Sequence, residues 1–323
     1  MTSNATPRLL GDIGGTNARF AWQTQAGAIP SDVASYAAAE HDTLLSVIRH
    51  YLAEHGKEAP AECAIGIANP IVDDRVQMTN HHWSFSISEL QRELGLQRLK
   101  VLNDFTALAL SLPALAATDL RPIGRGSAVA GTALAVLGPG TGLGVSGLLP
   151  TGRDSYVPVN GEGGHVTLSA CDDHEAAVVE HLRHRFGHAS AERALSGPGL
   201  VNLYDAVCAL AAQPAQALNP SQVLESARQR ENPHCVAALG LFFNFLGDVA
   251  GNLALTLGAR GGVYIGGGIV PRVLTELGQS AFRTRFESKG RFRDYLAGIP
   301  TLVIESTVSP ALIGASRALD MDL

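Results

Sequence analysis

A glycine-rich turn near the start of the sequence carries the first residues whose types and spacing could do chemistry. The run GDIGGTN at 11–17 falls between two apolar segments, 8–13 and 18–22, which predict the strands of a hairpin. Glycines at the bend allow positive φ angles and let several N–H groups converge on an anion, and Thr16 adds a hydroxyl donor. Asp12, at the end of the first strand, is suited to hold Mg²⁺ through water. The alternative is an ordinary hairpin turn capped by Asp12.

The same strand–turn–strand pattern recurs in the middle of the chain. Apolar segments at 133–137 and 143–149 flank the run GPGTGLG at 138–144, which has four glycines in seven residues. So much glycine costs conformational entropy unless a ligand fills the space, and two such loops together suit one polyphosphate. The first run is neither a Walker loop, since GxxxxGK[ST] is absent, nor a dinucleotide fingerprint, since a strand rather than a helix follows it.

A third glycine run, Gly266–Gly268, follows a predicted strand at 262–265. It could admit a flat base or a sugar against the backbone, or it could be a tight turn between strand and helix. Asn103 and Asp104 lie between a predicted strand at 99–102 and a predicted helix at 104–112. Asp104 could cap that helix, or it could act as a general base that accepts the proton of a substrate hydroxyl.

Three further polar residues could bind the hydroxyl groups of a sugar. Glu162 and His165 are three residues apart in the run GEGGH, and Glu192 follows in the run SAER. Carboxylate, amide and imidazole groups each bond one or two hydroxyls, which suits a polyhydroxylated ligand. Each residue alone is more often a surface or capping group, and Glu192 could form a salt bridge within its helix, with Arg193 or a neighbour.

The composition is that of a globular protein with ample core and an acidic balance. Of 323 residues, 46% are hydrophobic and 17% are charged, so the chain is not of the disordered class. The net charge of −6 argues against a nucleic-acid partner. The basic stretch from Arg283 to Arg293 is expected to be a solvated face.

The cysteines and the apolar segments indicate the cellular location of the protein. The four cysteines show no CxxC spacing, which is typical of reduced cytosolic thiols. Residues 1–8 lack the features of a signal peptide. The uncharged segment 126–152 contains too many glycines and prolines for a membrane helix and predicts strands instead. We therefore expect a cytoplasmic protein without a membrane partner.

The remaining pattern predicts the elements that must position these groups. Strand signals also occur at 62–67, 155–159 and 301–305, and helix signals occur at 41–55, 88–94, 309–319 and throughout 174–258. The stretch 113–128 is typical of a loop. Each half begins with a strand, a glycine–threonine turn and a second strand. We therefore expect two α/β domains of related architecture that face each other across a cleft, a common place for a ligand.

With these residues named, the sequence resembles the bacterial glucokinases of the proteobacterial type, in the hexokinase–actin–heat-shock-chaperone superfamily. The matching segments cover nearly the whole chain: LLGDIGGTNARFA, MTNHHWSFSISEL, VLNDFTALALSLP, LGPGTGLGVSGL, VPVNGEGGHVTL, SAERALSGPGLVNLY and VYIGGGIVPR. The resemblance implies two ribonuclease-H-like (actin-like ATPase) domains flanking a central cleft that takes glucose and ATP. It implies a small domain of 1–112 plus 301–323 and a large domain of 113–300.

The resemblance also implies a role for each motif. The residues of the first phosphate motif are Gly11, Asp12, Ile13, Gly14, Gly15 and Thr16, with Mg²⁺ near Asp12. The residues of the second phosphate motif and the adenosine motif are Gly138, Gly140, Thr141, Gly142, Gly266, Gly267 and Gly268. The residues that match sugar contacts are Asn103, Asp104, Glu162, His165 and Glu192. Asp104 matches the catalytic base, which takes the proton of the 6-hydroxyl of glucose.

Other readings of the same resemblance stay open. The chain could phosphorylate another hexose, such as mannose or an N-acetylated hexosamine, or it could be a catalytically silent sugar-binding regulator. The resemblance suggests a homodimer. The cysteine-rich zinc motif of the related ROK group is absent, because only Cys171 lies near the GEGGH run, so we expect no structural zinc.

Overall fold

The computed structural model describes residues 6–79, 81–152, 155–306 and 308–321. The chain divides into two compact units. The first unit comprises Met1–Ala117, Tyr156–Asn160 and Ser306–Leu323, and the second comprises Thr118–Ser155 and Gly161–Glu305. The two ends of the predicted small domain, Met1 and Leu323, lie outside the described residues.

Strands and helices occur in both units. The strands are β1 (Arg8–Ile13), β2 (Asn17–Gln23), β3 (Ser31–Ala37), β4 (Glu62–Ile67), β5 (Arg75–Gln77), β6 (Ser84–Ser86), β7 (Arg98–Asn103), β8 (Leu120–Ile123), β9 (Leu134–Pro139), β10 (Leu143–Pro150), β11 (Tyr156–Val159), β12 (Val263–Ile265) and β13 (Thr301–Ile304). The α-helices are α1 (Leu44–Glu54), α2 (Ile87–Glu93), α3 (Asp104–Ser111), α4 (Asp173–Phe186), α5 (Gly197–Leu210), α6 (Pro220–Arg228), α7 (Pro233–Leu257), α8 (Leu274–Gln279), α9 (Phe282–Glu287), α10 (Arg293–Ala297) and α11 (Pro310–Leu319).

The first unit is built on a five-stranded sheet in the order β3-β2-β1-β4-β7. β2 pairs antiparallel with β1 and β3, whereas β1, β4 and β7 are parallel. In this register Ile13 lies beside Ile67, and Ile67 lies beside Asn103. Residues at the carboxyl ends of these strands therefore share one edge of the sheet, where open α/β sheets bind their ligands.

The C-terminal helix α11 packs on this sheet. Its residues Leu312, Ala315 and Leu319 form a buried cluster with Leu10, Ala21 and Ala64 from the strands. α11 also packs closely on α3, because Gly314 lies against the carbonyl oxygen of Ala107 and a Cβ at Gly314 would overlap that oxygen. This contact fixes α3, whose first residue is Asp104.

The second unit repeats the pattern of an antiparallel hairpin followed by parallel strands. Its sheet contains the order β10-β9-β12-β13-β8, with β9 and β10 antiparallel and β9, β12 and β13 parallel. The predicted strands at 133–137 and 143–149 are confirmed as β9 and β10. The core of the unit lies among α4–α7, and its largest buried side chains include Phe242, Phe245, Phe282 and Tyr204.

Helix α7 combines unusual length with a buried position. It is the one helix among the described residues that is long and apolar enough to cross a membrane, judged by length and composition. However, 61% of its most apolar window is buried inside the protein. Phe242, Phe245 and Leu246 are all fully buried. This burial is that of a core helix.

The structure corrects the predicted position of β13. We expected strand 301–305 in the small domain, but β13 pairs in parallel with β12 and antiparallel with β8, so it belongs to the sheet of the second unit. Of the predicted C-terminal part of the small domain, 306–323 belongs to the first unit. The segment 156–160 belongs to the first unit as well. The partner strand β8 was missed because its residues (LRPI) are half-buried or exposed and form no apolar run.

The start of α1 also differs from the prediction. We expected a helix over 41–55, but α1 begins at Leu44. Its N-cap is Thr43, whose side chain accepts a hydrogen bond from the backbone N–H of Ser46, while the Ser46 hydroxyl bonds the backbone of Thr43. This reciprocal capping box satisfies two N–H groups at the helix start.

The contact between α11 and α3 predicts a sharp difference between two glycine positions. Gly314→Ala forces a methyl group onto the Ala107 carbonyl, so we expect a loss of about 1–3 kcal/mol in the free energy of unfolding. In the matched control Gly240→Ala, the added methyl points into open space on α7, and we expect a gain of about 0.5–1 kcal/mol. Urea-induced unfolding measures both, and an unchanged Gly314→Ala variant would contradict the close packing.

Candidate functional site

Asp12 lies at the carboxyl end of β1 and is held by two side chains of the first unit. Its Oδ2 accepts hydrogen bonds from the Ser309 hydroxyl at 2.6 Å and from Arg19 Nη1 at 3.2 Å. The hairpin turn itself is closed by the backbone, with the N–H of Gly14 donating to the carbonyl of Asn17 at 2.9 Å. Asp12 is therefore anchored by Arg19 and Ser309, rather than acting as the cap of its own turn.

Close approach by a neighbouring group excludes a side chain at one glycine in the second loop and at one in the third. In the described part of the chain, positive φ occurs at Gly267 (79°) but at no glycine of 11–15 or 138–144. A Cβ at Gly267 would overlap the carbonyl oxygen of Pro139, and a Cβ at Gly142 would overlap the carboxylate of Glu192. The first loop therefore does not use the positive φ angles that its glycines would allow.

The cap of helix α3 is Asn103 and not Asp104. Asn103 is the N-cap of α3, and its Oδ1 accepts from the N–H groups of Phe105 at 2.9 Å and Thr106 at 3.2 Å. Asp104 is the first helical residue, and the Phe105 N–H also donates to its Oδ1 at 2.8 Å. The capping alternative for Asp104 is therefore wrong, since the preceding residue performs it.

Asn69 is a polar residue at the same sheet edge that the sequence analysis missed. Its Oδ1 accepts from the backbone N–H of Thr79 at 3.0 Å and from the Thr79 hydroxyl at 2.8 Å. Its backbone oxygen accepts from Asn103 Nδ2 at 3.5 Å. Asn69 follows the buried strand β4, and β4 lies between β1 and β7. Its place after a buried strand was the signal that could have found it.

In the second unit, Glu192 lies on the second glycine loop. Its Oε2 accepts from the backbone N–H of Leu143 at 2.8 Å. The expected alternative, a salt bridge to Arg193, is not what the structure contains, because the Arg193 guanidinium stacks on the ring of Phe186 at 4.2 Å. Glu192 therefore belongs with the loop rather than with the surface.

Glu162 and His165 flank a short turn beside the same loop. Gly163–His165 forms a 3₁₀ helix, and the His165 N–H donates to the carbonyl of Glu162 at 3.0 Å. Gly164 packs against the carbonyl oxygen of Leu143 so closely that a Cβ would overlap it. Both side chains belong to exposed residues. The second unit thus brings the turn of Glu162 and His165 and the carboxylate of Glu192 to one residue, Leu143.

The third glycine run lies against the second. The N–H of Gly266 donates to the carbonyl of Leu137 at 2.8 Å, and the N–H of Ile269 donates to that of Pro139 at 3.4 Å. A short 3₁₀ helix, Val270–Val273, and then α8 follow. The glycines at 138–142 and 266–268 therefore form one backbone surface within the second unit.

A second cluster of charged groups lies away from these loops, on α4, α7 and α9. The nearly fully buried carboxylates of Glu175 and Asp248 bind Arg285, with two bonds of 2.7 Å to Glu175, and Asp248 also binds Lys289 at 3.0 Å. The expected solvated face is therefore wrong for Arg285 and Lys289. Burial opposes the charge of Arg285, but the two carboxylates outweigh it and raise its pKa further.

The same cluster contains Cys171, whose thiol lies near Asp248. Ligand atoms of Cys171, Glu175 and Asp248 lie within 4.8 Å of one another, the spacing of a metal site. However, both carboxylates are already paired with cations. Burial and then the charge of Asp248 raise the pKa of the Cys171 thiol, which disfavours the thiolate that a metal would need. We assign this cluster a structural role, and the expected lack of zinc stays a prediction.

Two hairpin-led sheets with polar groups after their parallel strands are the architecture of sugar kinases of the actin-like ATPase fold. A solved glucokinase from an Antarctic psychrotroph matches with a TM-score of 0.88 at 36% identity, covering 98% of this chain and 99% of that chain. A ROK-family glucokinase from Streptomyces griseus, solved in complex with glucose and AMPPNP, matches in fold with a TM-score of 0.64 at 18% identity, covering 97% of this chain and 98% of that chain.

Sequence comparison narrows this class to one family. The family model described as Glucokinase matches residues 9–322. A glucokinase from Aromatoleum aromaticum is 54% identical over 319 residues, which cover 98% of this chain and 96% of the relative. The chain belongs to the glucokinase family. The predicted family and the predicted α/β, actin-like ATPase fold are confirmed.

The buried ionic cluster predicts a large effect on stability. Arg285→Met removes the cation that binds the buried carboxylate of Glu175 and leaves Asp248 with Lys289, so we expect a loss of about 3–5 kcal/mol in the free energy of unfolding. The matched control Arg183→Met breaks an exposed pair with Glu180 on α4 and should change stability little. Chemical denaturation compares the two, and equal effects would contradict the structural role.

Proposed function

We propose that this chain transfers the γ-phosphoryl group of ATP to the 6-hydroxyl of glucose, with Asp104 as the general base. ATP-dependent phosphorylation of glucose is the activity of the family to which the chain belongs. One observation carries the residue assignment: Asp104 begins α3 at the ligand-binding edge of the first sheet, with its neighbour Asn103 serving as the cap. The cap of α3 is therefore supplied by Asn103, and Asp104 lies directly after it at the same edge.

The proposed reaction is a single in-line displacement. Asp104 accepts the proton of the 6-hydroxyl as the hydroxyl oxygen attacks the γ-phosphorus, the bond to the bridging oxygen of ADP breaks, and glucose 6-phosphate and ADP leave. Backbone N–H groups of the glycine loops at 11–16 and 138–142 stabilise the charge that develops on the phosphoryl oxygens. The run Gly266–Gly268 receives the adenosine.

Each unit carries polar groups that suit the hydroxyls of a sugar. In the first unit Asn103 binds it beside Asp104, while Asn69 fixes the segment around Thr79 next to Asn103. In the second unit Glu162, His165 and Glu192 supply carboxylates and an imidazole, which suit several hydroxyls. Their different geometries would distinguish one hexose from another.

Asp12 is suited to hold Mg²⁺ through water. Its Oδ2 is occupied by Ser309 and Arg19, whereas among the described residues its Oδ1 accepts no hydrogen bond. One or two carboxylates, with water and substrate phosphates, are the donors that Mg²⁺ uses beside nucleotides. When bound, the metal would neutralise charge on the phosphates of ATP. The fixed carboxylate of Asp12 orients the water molecules that contact it.

Further properties stay predictions that the family resemblance supports. We propose a homodimer in the cytoplasm, with glucose and ATP as small-molecule partners and neither nucleic acid nor membrane as a partner. The acidic net charge of −6 agrees with the lack of a nucleic-acid partner. The small and large domains of the family correspond to the two compact units, with the boundary before residue 306 rather than before 301.

Asp104→Asn tests the catalytic base. The amide oxygen can still accept from the Phe105 N–H, so α3 keeps its start, but the proton acceptor is lost. We expect kcat to fall by about 10²–10⁴-fold, with the dissociation constant for glucose changed only a few-fold. Coupled measurement of ADP release and calorimetry of glucose binding separate the two effects. The exposed control Asp73→Asn should retain activity, and near-normal kcat in Asp104→Asn would refute the assignment.

Asp12→Asn tests the metal assignment. Loss of the charge should raise the Mg²⁺ concentration needed for half-maximal binding of AMPPNP by about 10–100-fold. Ser309→Ala should shift the same value in the same direction but less, because Arg19 still holds the carboxylate. A Mg²⁺ titration followed by calorimetry measures both variants. An unchanged Mg²⁺ requirement in Asp12→Asn would remove Asp12 from the metal site.

A further inference from the structure

The carboxylate of Glu192 contacts the second phosphate loop, although its assigned role is to bind sugar. Its Oε2 accepts from the N–H of Leu143 at 2.8 Å, and it occupies the space that a Cβ at Gly142 would fill. Among the described residues its Oε1 accepts no hydrogen bond. One oxygen is therefore bound to the loop, and the other can receive a sugar hydroxyl.

The backbone around Glu192 is attached to the same loop at a second point. The N–H of Gly197 donates to the carbonyl of Gly140 at 2.8 Å. The hydroxyl of Ser196, a buried residue, donates to the carbonyl of Glu192 at 2.9 Å and accepts from the N–H of Gly199 at 2.9 Å as the N-cap of α5. The segment 192–197 is thus fixed by a helix start and joined to the loop at both of its ends.

The sugar-side turn reaches the loop through the same residue, Leu143. The N–H of Ala191 donates to the carbonyl of Val166, directly after His165, at 2.9 Å. The carbonyl oxygen of Leu143 packs against Gly164 in the turn of Glu162 and His165. Both backbone groups of Leu143 are therefore in contact with segments assigned to the sugar.

This arrangement has a thermodynamic consequence. The turn between β9 and β10 contains Gly140 and Gly142, and ordering glycine costs more conformational entropy than ordering other residues. A ligand that orders the loop first lowers the cost for the ligand that binds second, which is positive coupling without a large structural change. By linkage, each ligand then raises the affinity for the other by the same factor.

We propose that Glu192 is the positioning residue that couples glucose binding to nucleotide binding. A sugar hydroxyl on Oε1 holds the carboxylate in place, and the carboxylate holds the N–H of Leu143 and hence the loop at 138–144. This inference rests on the proposed function, because it takes Glu192 as a sugar contact. It adds that glucose organises the phosphate loop through a hydrogen bond within the second unit.

The test measures binding of AMPPNP with Mg²⁺ by calorimetry, with and without saturating glucose. In the wild type we expect glucose to tighten AMPPNP binding by about 10-fold. The ratio of interest is the AMPPNP dissociation constant without glucose divided by that with saturating glucose. Glu192→Ala removes the contact with Leu143 and the contact with the sugar, and it should bring this ratio close to one. Glu192→Gln should keep most of the ratio, because its amide oxygen still accepts from Leu143.

Two further variants separate the loop contact from sugar binding. Gly142→Ala displaces Oε2 of Glu192 from the Leu143 N–H but keeps the carboxylate in the protein, so the ratio should fall while glucose still binds. The matched control Glu162→Gln should weaken glucose binding but keep the wild-type ratio at saturation. Thermal unfolding shows whether each variant is folded. If Gly142→Ala does not fold, the ratio measured for Glu192→Ala tests the coupling by itself.

The outcomes distinguish this inference from the proposed function. Wild-type protein with no tightening, or Glu192→Ala with the full wild-type ratio, overturns the coupling and leaves the glucose kinase assignment intact. If the glucose affinity is unchanged in both Glu162→Gln and Glu192→Ala, neither residue binds the sugar. The proposed sugar contacts are then wrong, and so is the coupling through Glu192. Loss of the ratio in Glu192→Ala with retention in Glu192→Gln and Glu162→Gln supports the coupling.

Discussion

The register of the parallel strands β1, β4 and β7 decides where the polar groups of the first unit lie. Because the three strands end together, Asp12, Asn69 and Asn103 come to one edge of the sheet although they are far apart in sequence. The helix α3 then begins at Asp104, and the packing of α11 on α3 holds that start in place. A shift in this register would separate the groups whatever their chemistry.

Close contact between backbone segments is the corresponding constraint in the second unit. The glycines at 142, 164 and 267 each face a carbonyl or carboxylate oxygen where a Cβ has no room. The glycine content therefore serves packing between functional segments as much as conformational freedom. These contacts place the carboxylate of Glu192 on the loop at 138–144 and the turn of Glu162 and His165 on Leu143.

Local signals in the sequence predicted much of this architecture, and non-local pairing explains the failures. The hairpins around 11–17 and 138–144 and the helix α11 follow from apolar runs and turn residues. The sheet to which β13 belongs could not be predicted in this way, because the apolar run of a strand does not specify which sheet it joins. Strand β8 was missed because it has no apolar run. Asn69 and the bond from Leu143 to Glu192 depend on contacts across many residues, which spacing along the chain does not reveal.

These polar groups together suit a catalyst that acts on glucose. The most direct measurement is a coupled assay of ADP release from ATP across a panel of sugars, with calorimetric binding of the same sugars in parallel. The account predicts glucose-dependent ADP release, with glucose preferred over mannose and N-acetylated hexosamines. Sugar binding without ADP release, as a silent regulator would show, or higher turnover with another hexose, would contradict it.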